Sequence, residues 1–86
     1  MADEVFLYAL STCGWCRKTK DFLNEHQVEY EFVDVDLLPR RKRHAAQDEM
    51  LELSGGRLFP VVVVGETVVV GYNPKRLAEL LDLDGD

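Results

Sequence analysis

The sequence predicts an α/β fold, a four-stranded mixed β-sheet with three helices in the order β-α-β-α-β-β-α. Three observations carry this prediction. Short apolar runs at residues 5–10 (VFLYAL) and 60–64 (PVVVV) alternate with stretches of helical periodicity. Gly65-Glu66 separates two β-branched runs by two residues, as in an antiparallel hairpin with Gly at the first turn position. The first two strands flank a helix, which makes them parallel through a right-handed crossover.

Taken in order, residues 5–10 read as a buried strand that Ser11-Thr12-Cys13-Gly14 breaks. From Trp15 to about Gln27 the pattern is helical. Trp15, Thr19, Phe22 and Leu23 recur at spacings of three and four, and Arg17, Lys18, Lys20, Asp21 and Glu25 take the other side. Residues 28–35 alternate incompletely, with Val28, Tyr30 and Phe32 set against Glu29 and Glu31, and read as the second strand. Pro39 can open a helix, because the amide it lacks would be unpaired there. Residues 40–53 then carry Ala45, Ala46, Met50, Leu51 and Leu53 as apolar positions, and Ser54-Gly55-Gly56 ends the helix. Pro60 stands just before the strand Val61–Val64, and Thr67–Val70 returns beside it. Asn73 is the expected N-cap and Pro74 the first position of a last helix, residues 74–83, with Leu77, Leu80 and Leu81 on one face. The first and third helices then share one face of the sheet and the second covers the other.

At 86 residues, with 47% hydrophobic and 30% charged, the chain has the composition of one globular domain, residues 1–86. Its apolar runs fall far short of the roughly 20 residues a membrane-spanning helix needs. The start, Met1-Ala2-Asp3-Glu4, is acidic where a secretory signal is basic, so a cytoplasmic protein without membrane association is expected. Ten Lys and Arg against sixteen Asp and Glu set a net charge of −6, which repels phosphate backbones and argues against nucleic acid as a partner. One run opposes that balance, Arg40-Arg41-Lys42-Arg43-His44. It reads either as a solvated helix end or as a patch that attracts an anionic ligand or an acidic partner.

The chemistry lies in the two cysteines, Cys13 and Cys16. A disulfide that closes so short a loop gains little stability from loop closure. In a chain of this type the spacing points to catalysis or metal binding instead. A structural zinc site needs four ligands, and His26 and His44 are not in ligand spacing, so no metal is expected. The pair falls where the first strand meets the first helix. Unpaired amides and the macrodipole at a helix N-terminus favour an anion, so a thiolate at Cys13 should form below the free thiol value of about 8.5. Arg17 and Lys18 add positive charge one turn on. Cys13, ahead of the helix, is the expected nucleophile, and Cys16, tethered within the first turn, resolves the mixed disulfide. Trp15 between them should sit exposed at the rim, a flat apolar wall for a docking substrate.

With these residues in view, the chain resembles the glutaredoxins over roughly residues 5–83. Thr12-Cys13-Gly14-Trp15-Cys16 is similar to the family's Cys-Pro-Tyr-Cys site. Tyr30-Glu31-Phe32-Val33-Asp34-Val35-Asp36 looks like its second strand, Leu58-Phe59-Pro60 like its pre-hairpin segment, and the turn at Gly71 like the one that follows the hairpin. The resemblance implies the thioredoxin fold and a cis Phe59–Pro60 bond facing the active site. It implies substrate contacts from Thr12, Gly14, Trp15, Phe59, Pro60, Gly71, Tyr72 and Asn73. It implies a protein-disulfide oxidoreductase, an electron carrier that reduces protein or glutathione-mixed disulfides through Cys13 and Cys16. No bound cofactor is expected, and glutathione is one candidate co-substrate. The expected partners are disulfide-containing proteins and a thioredoxin-reductase-like or glutathione-based reductant, the chain acting as a monomer. Leu10 stands where many glutathione-using members carry Lys, and Gly71-Tyr72-Asn73-Pro74 where many carry an acidic pair. The latter run looks more like the glutaredoxin-like donors to ribonucleotide reductase, so glutathione is expected to be a poor reductant. Gly14 resembles a variant that supplies an alternative reading, a dimer bridged by a [2Fe–2S] cluster and two glutathiones.

Overall fold

β1 (Val5–Ala9) is the strand on which the fold is built, and α1 (Gly14–Glu25) follows it. Then come β2 (Glu31–Asp34), a 3-10 turn (Val35–Leu37) and α2 (Arg40–Ser54). The hairpin of β3 (Val61–Val64) and β4 (Thr67–Val70) leads into α3 (Pro74–Leu81). The structure is a computed structural model and describes residues 4–56 and 58–82. The sheet order is β2-β1-β3-β4, with β1 parallel to β2 and antiparallel to β3. Leu7 lies opposite both Phe32 and Val62, so β1 is paired on both edges. In the hairpin Val64 faces Thr67, and Gly65 at φ 59° supplies the positive φ that the two-residue turn requires. The expected element order and the mixed sheet are as read from the sequence.

Alternation along β1 divides the core in two. Val5, Leu7 and Ala9 join Phe22 and Leu23 of α1 and Leu77 and Ala78 of α3 on one face. Tyr8 joins Val35 and the α2 residues Ala46 and Met50 on the other. Burying a side chain such as Leu7, which has no exposed surface, stabilises by about 1.5–3 kcal/mol.

Three expectations need correction. The second strand is shorter than residues 28–35. The Val28 amide turns back to the Leu23 carbonyl at 2.9 Å to close the end of α1, with Gln27 in the left-handed region at φ 56°. Val35 enters the 3-10 turn. Pro39 is the N-cap of α2 rather than its first helical residue, its carbonyl accepting from the Arg43 amide at 2.8 Å. The apolar positions of α2 do not all enter the core. Arg43, Ala46, Gln47, Met50 and Ser54 fall on one stripe at spacings of three and four, and only Ala46 and Met50 are buried. Ala45, Leu51 and Leu53 lie off that stripe and face solvent.

α3 begins as expected. The Asn73 side chain accepts from the Arg76 amide at 3.1 Å and Pro74 takes the first turn. The helix ends at Leu81, with Asp82 in the left-handed region. Leu83, the expected last helical residue, lies outside the described residues. No helix among them is long and apolar enough to cross a membrane.

Candidate active site

β1 delivers the chain to a tight turn in which the Cys13 amide donates to the Leu10 carbonyl at 3.2 Å. A tether from the far side holds this turn. The Ser11 amide donates to Asp36 Oδ1 at 2.9 Å and its hydroxyl donates to Oδ2. These two bonds hold the exposed Asp36 carboxyl below its ordinary pKa.

Cys13 is the N-cap of α1, in extended conformation, and its Sγ accepts from the Cys16 amide at 3.2 Å. Sulfur therefore occupies the place that a Ser or Asp oxygen takes in an ordinary N-cap. A thiolate there gains the orphan amides and the positive end of the helix. Cys13 is half-buried, whereas Cys16 is 1% exposed, and both are free thiols. Burial pushes the Cys16 thiol up to about 12, and its hydrogen bond with Cys13 adds to that. The Leu10 backbone and the Lys20 charge pull the other way.

The rest of the site comes from the hairpin and the chain after it. Phe59–Pro60 is cis, and the buried Pro60 accepts the Gly71 amide at its carbonyl, at 2.7 Å. Gly71, at φ 83°, adopts a backbone that a side chain would strain. Tyr72 then stacks on Trp15, with ring centroids 5.8 Å apart and planes 27° apart. Trp15 is 58% exposed, as expected for a rim residue, and Lys18 Nζ stands 4.9 Å from its ring centre. Cys13, Phe59 and Tyr72 all pack half-buried against the same side of the core. Thr12 and Gly14 are exposed beside Cys13. Asn73 is exposed, and its side-chain oxygen is engaged in capping α3.

A recess of about 310 Å³ opens beside Cys13, bordered by Leu10, Ser11, Arg17, Lys20, Asp21 and Asn24. Of the cations expected near the sulfur, Arg17 borders this recess, while Lys18 is drawn to the indole. Two contributors escaped the sequence reading. Lys20 acts on Cys16, pairs with Asp34 at 3.1 Å and covers the Phe32 ring at 4.2 Å. Asp36 ties down the turn before Cys13. Lys20 could have been suspected, because it lies one helical turn after Cys16 on the same face. Nothing local marks Asp36, whose partner lies 25 residues away.

A protein-family model described as glutaredoxin matches residues 5–69. Among solved structures, the chain is similar to the glutaredoxin (grx-1) of Archaeoglobus fulgidus, at 38% identity and a TM-score of 0.86, over 91% of this chain and 85% of that one. It is similar to the methanoredoxin of Methanosarcina acetivorans, at 32% identity and a TM-score of 0.89, over 93% and 85% of the two chains. It is also similar to the Escherichia coli NrdH-redoxin, a glutaredoxin-like protein with a thioredoxin-like activity profile, at 28% identity and a TM-score of 0.72, over 90% and 93%.

Proposed function

This chain belongs to the glutaredoxin family and is a thiol oxidoreductase of the thioredoxin fold, and from that premise we propose that it carries electrons to disulfides of proteins through Cys13 and Cys16. The single observation that carries the reading is the unequal pair at the start of α1. One sulfur caps the helix and the other is sealed beneath it with its proton held.

In the first step the Cys13 thiolate attacks one sulfur of the substrate disulfide. A Cys13–substrate disulfide forms, and the other substrate sulfur leaves as a thiolate. In the second step Cys16 loses its proton and attacks Cys13 Sγ. The Cys13–substrate bond breaks, the attacked substrate sulfur leaves as a thiolate, and Cys13 and Cys16 are joined, two electrons having passed to the substrate. The geometry supports this order. Cys16 is held protonated first by burial, then by its hydrogen bond and repulsion from Cys13. The contributions from Cys13 vanish once Cys13 is bonded to substrate, while the pull of Leu10 and Lys20 remains. Trp15, Tyr72 and the Phe59–Pro60 backbone offer the docking wall, and Thr12, Gly14, Gly71 and Asn73 line its approach. The alternative, a cluster-bridged dimer, finds no feature in its favour beyond Gly14.

Cys16→Ser is expected to accumulate a mixed disulfide with a model disulfide substrate, seen as a mass increase. Cys13→Ser is expected to neither accumulate it nor reduce the substrate. A mixed disulfide trapped on Cys16 in the Cys13→Ser protein would reverse the roles.

A further inference from the structure

We propose that Arg40, Arg41 and Lys42, at the start of α2, form a docking surface for an acidic segment of the protein whose disulfide Cys13 attacks. The inference rests on the oxidoreductase reading above. On a chain of net charge −6 with ten Lys and Arg, four of these cations occupy the consecutive positions 40–43. The first three are exposed, while Arg43 lies half-buried on the stripe that faces the sheet. Among the described residues the one ion pair is Lys20–Asp34, and the side chains of Arg40, Arg41 and Lys42 enter no hydrogen bond or ring contact. They also stand at the positive end of α2, whose first turn holds no acidic residue and whose N-cap, Pro39, offers no side-chain acceptor. Cations there oppose the helix dipole, and an incoming anion relieves both repulsions.

The chain connection keeps this charge within reach of the reactive sulfur, although α2 packs on the opposite face of the sheet from α1. Ser11, two residues before Cys13, is bonded to Asp36, and Arg40 follows Asp36 by four positions, a reach of at most about 14 Å. A substrate strand of eight residues spans about 26 Å. A sulfur at Cys13 and acidic residues on the cations can therefore belong to one extended segment. Successive helical positions turn by about 100°, so the three side chains fan out around the end of α2 rather than converge on one atom. A fan of this kind matches several carboxylates in a row and not the single carboxylate of a small thiol. The net negative charge of the chain disfavours a phosphate polymer.

The test uses three disulfide-bearing peptides of one sequence, with three Glu, three Gln or three Lys placed within eight residues of the cysteine. Pre-reduced protein is mixed with each, and the second-order rate constant is read at low salt and at about 0.5 M salt, where exposed charges are screened. At low salt the Glu peptide is expected to react about tenfold faster than the Gln peptide, the Lys peptide slowest, and the three to converge at high salt. In R40Q/R41Q/K42Q the Glu-to-Gln ratio is expected to fall to about one. Equal rates for wild type at low salt, or a Glu preference that survives in the variant, overturn the inference. So does a variant slowed toward glutathione while its Glu preference persists, which would assign the cations to a single carboxylate. Titration calorimetry with the Glu peptide carrying Ser in place of Cys tests the surface without chemistry. Salt-sensitive binding by wild type and none by the variant is expected, and equal binding by both overturns the inference. If no peptide is reduced but this binding is seen, the oxidoreductase reading fails and the surface stands.

Discussion

At Cys16 the thiol is 1% exposed and its pKa is raised from 9.0 to about 12, whereas Cys13, three positions earlier, is half-buried with its sulfur on the helix terminus. One equivalent of an alkylating agent at pH 7 is therefore expected to label Cys13 and leave Cys16 intact, as peptide mass mapping would show. The raised value also sets a pH dependence. Between pH 9.0 and about 12 the unfolded chain has lost a proton that the folded one keeps. The stability this group contributes is present below pH 9.0 and lost as pH rises through about 12. Tyr8, raised from 10.0 to about 12 by burial and by its 2.9 Å bond to Glu49, adds to the same alkaline decline. Urea denaturation of the reduced protein is expected to show a shallower decline across this window in Cys16→Ser than in wild type. Asp36 runs opposite. Its lowered pKa means a contribution present above the ordinary carboxylate value and lost as pH falls. Asp36→Ala is expected to raise amide exchange at Ser11.

The helices separate positions that an apolar count treats alike. Met50 is 1% exposed on the α2 stripe and Leu51, its neighbour, is 43% exposed. Met50→Ala is expected to cost about 2–5 kcal/mol and Leu51→Ala within about 0.5 kcal/mol, measured by chemical denaturation. On α3 the Asn73 cap was legible from an Asn followed by Pro at a helix start, and Asn73→Ala is expected to cost about 1 kcal/mol. The extent of β2 was not legible. The alternation of Val28 and Tyr30 is real, and both pack on the core, but turn and cap bonds take the backbone that a strand would pair.

Across the whole molecule, the choice of reductant follows from which groups the fold has already committed. Leu10, at the position of an expected cation, packs partly buried against the α2 side of the core, and Asn73, in place of an acidic cap, holds α3. Each charge-assisted contact is worth about 1.5–3 kcal/mol, so the absence of two is expected to weaken glutathione binding by about 3–6 kcal/mol, or two to four orders of magnitude. Steady-state reduction of the Cys13–Cys16 disulfide is expected to be slow with millimolar glutathione and faster with a thioredoxin reductase. Rapid turnover with glutathione alone would reverse this.

Local chemistry was enough for the strand–helix order, the Gly65 turn, the Asn73 cap and the cysteine pair at a helix start, because each depends on residues within a turn or two of one another. The two-sided core followed too, since period-2 alternation on a sheet covered by helices leaves few other solutions. Ser11 on Asp36, Tyr72 on Trp15, Gly71 on Pro60 and Lys20 between Asp34 and Cys16 were decided only when the sheet assembled. Most of these partners lie on different elements, and no spacing along the chain encodes how parallel β1 and β2, a hairpin and three helices converge. The same assembly buried one thiol and left its neighbour half-buried, and the proposed roles of the pair rest on that difference.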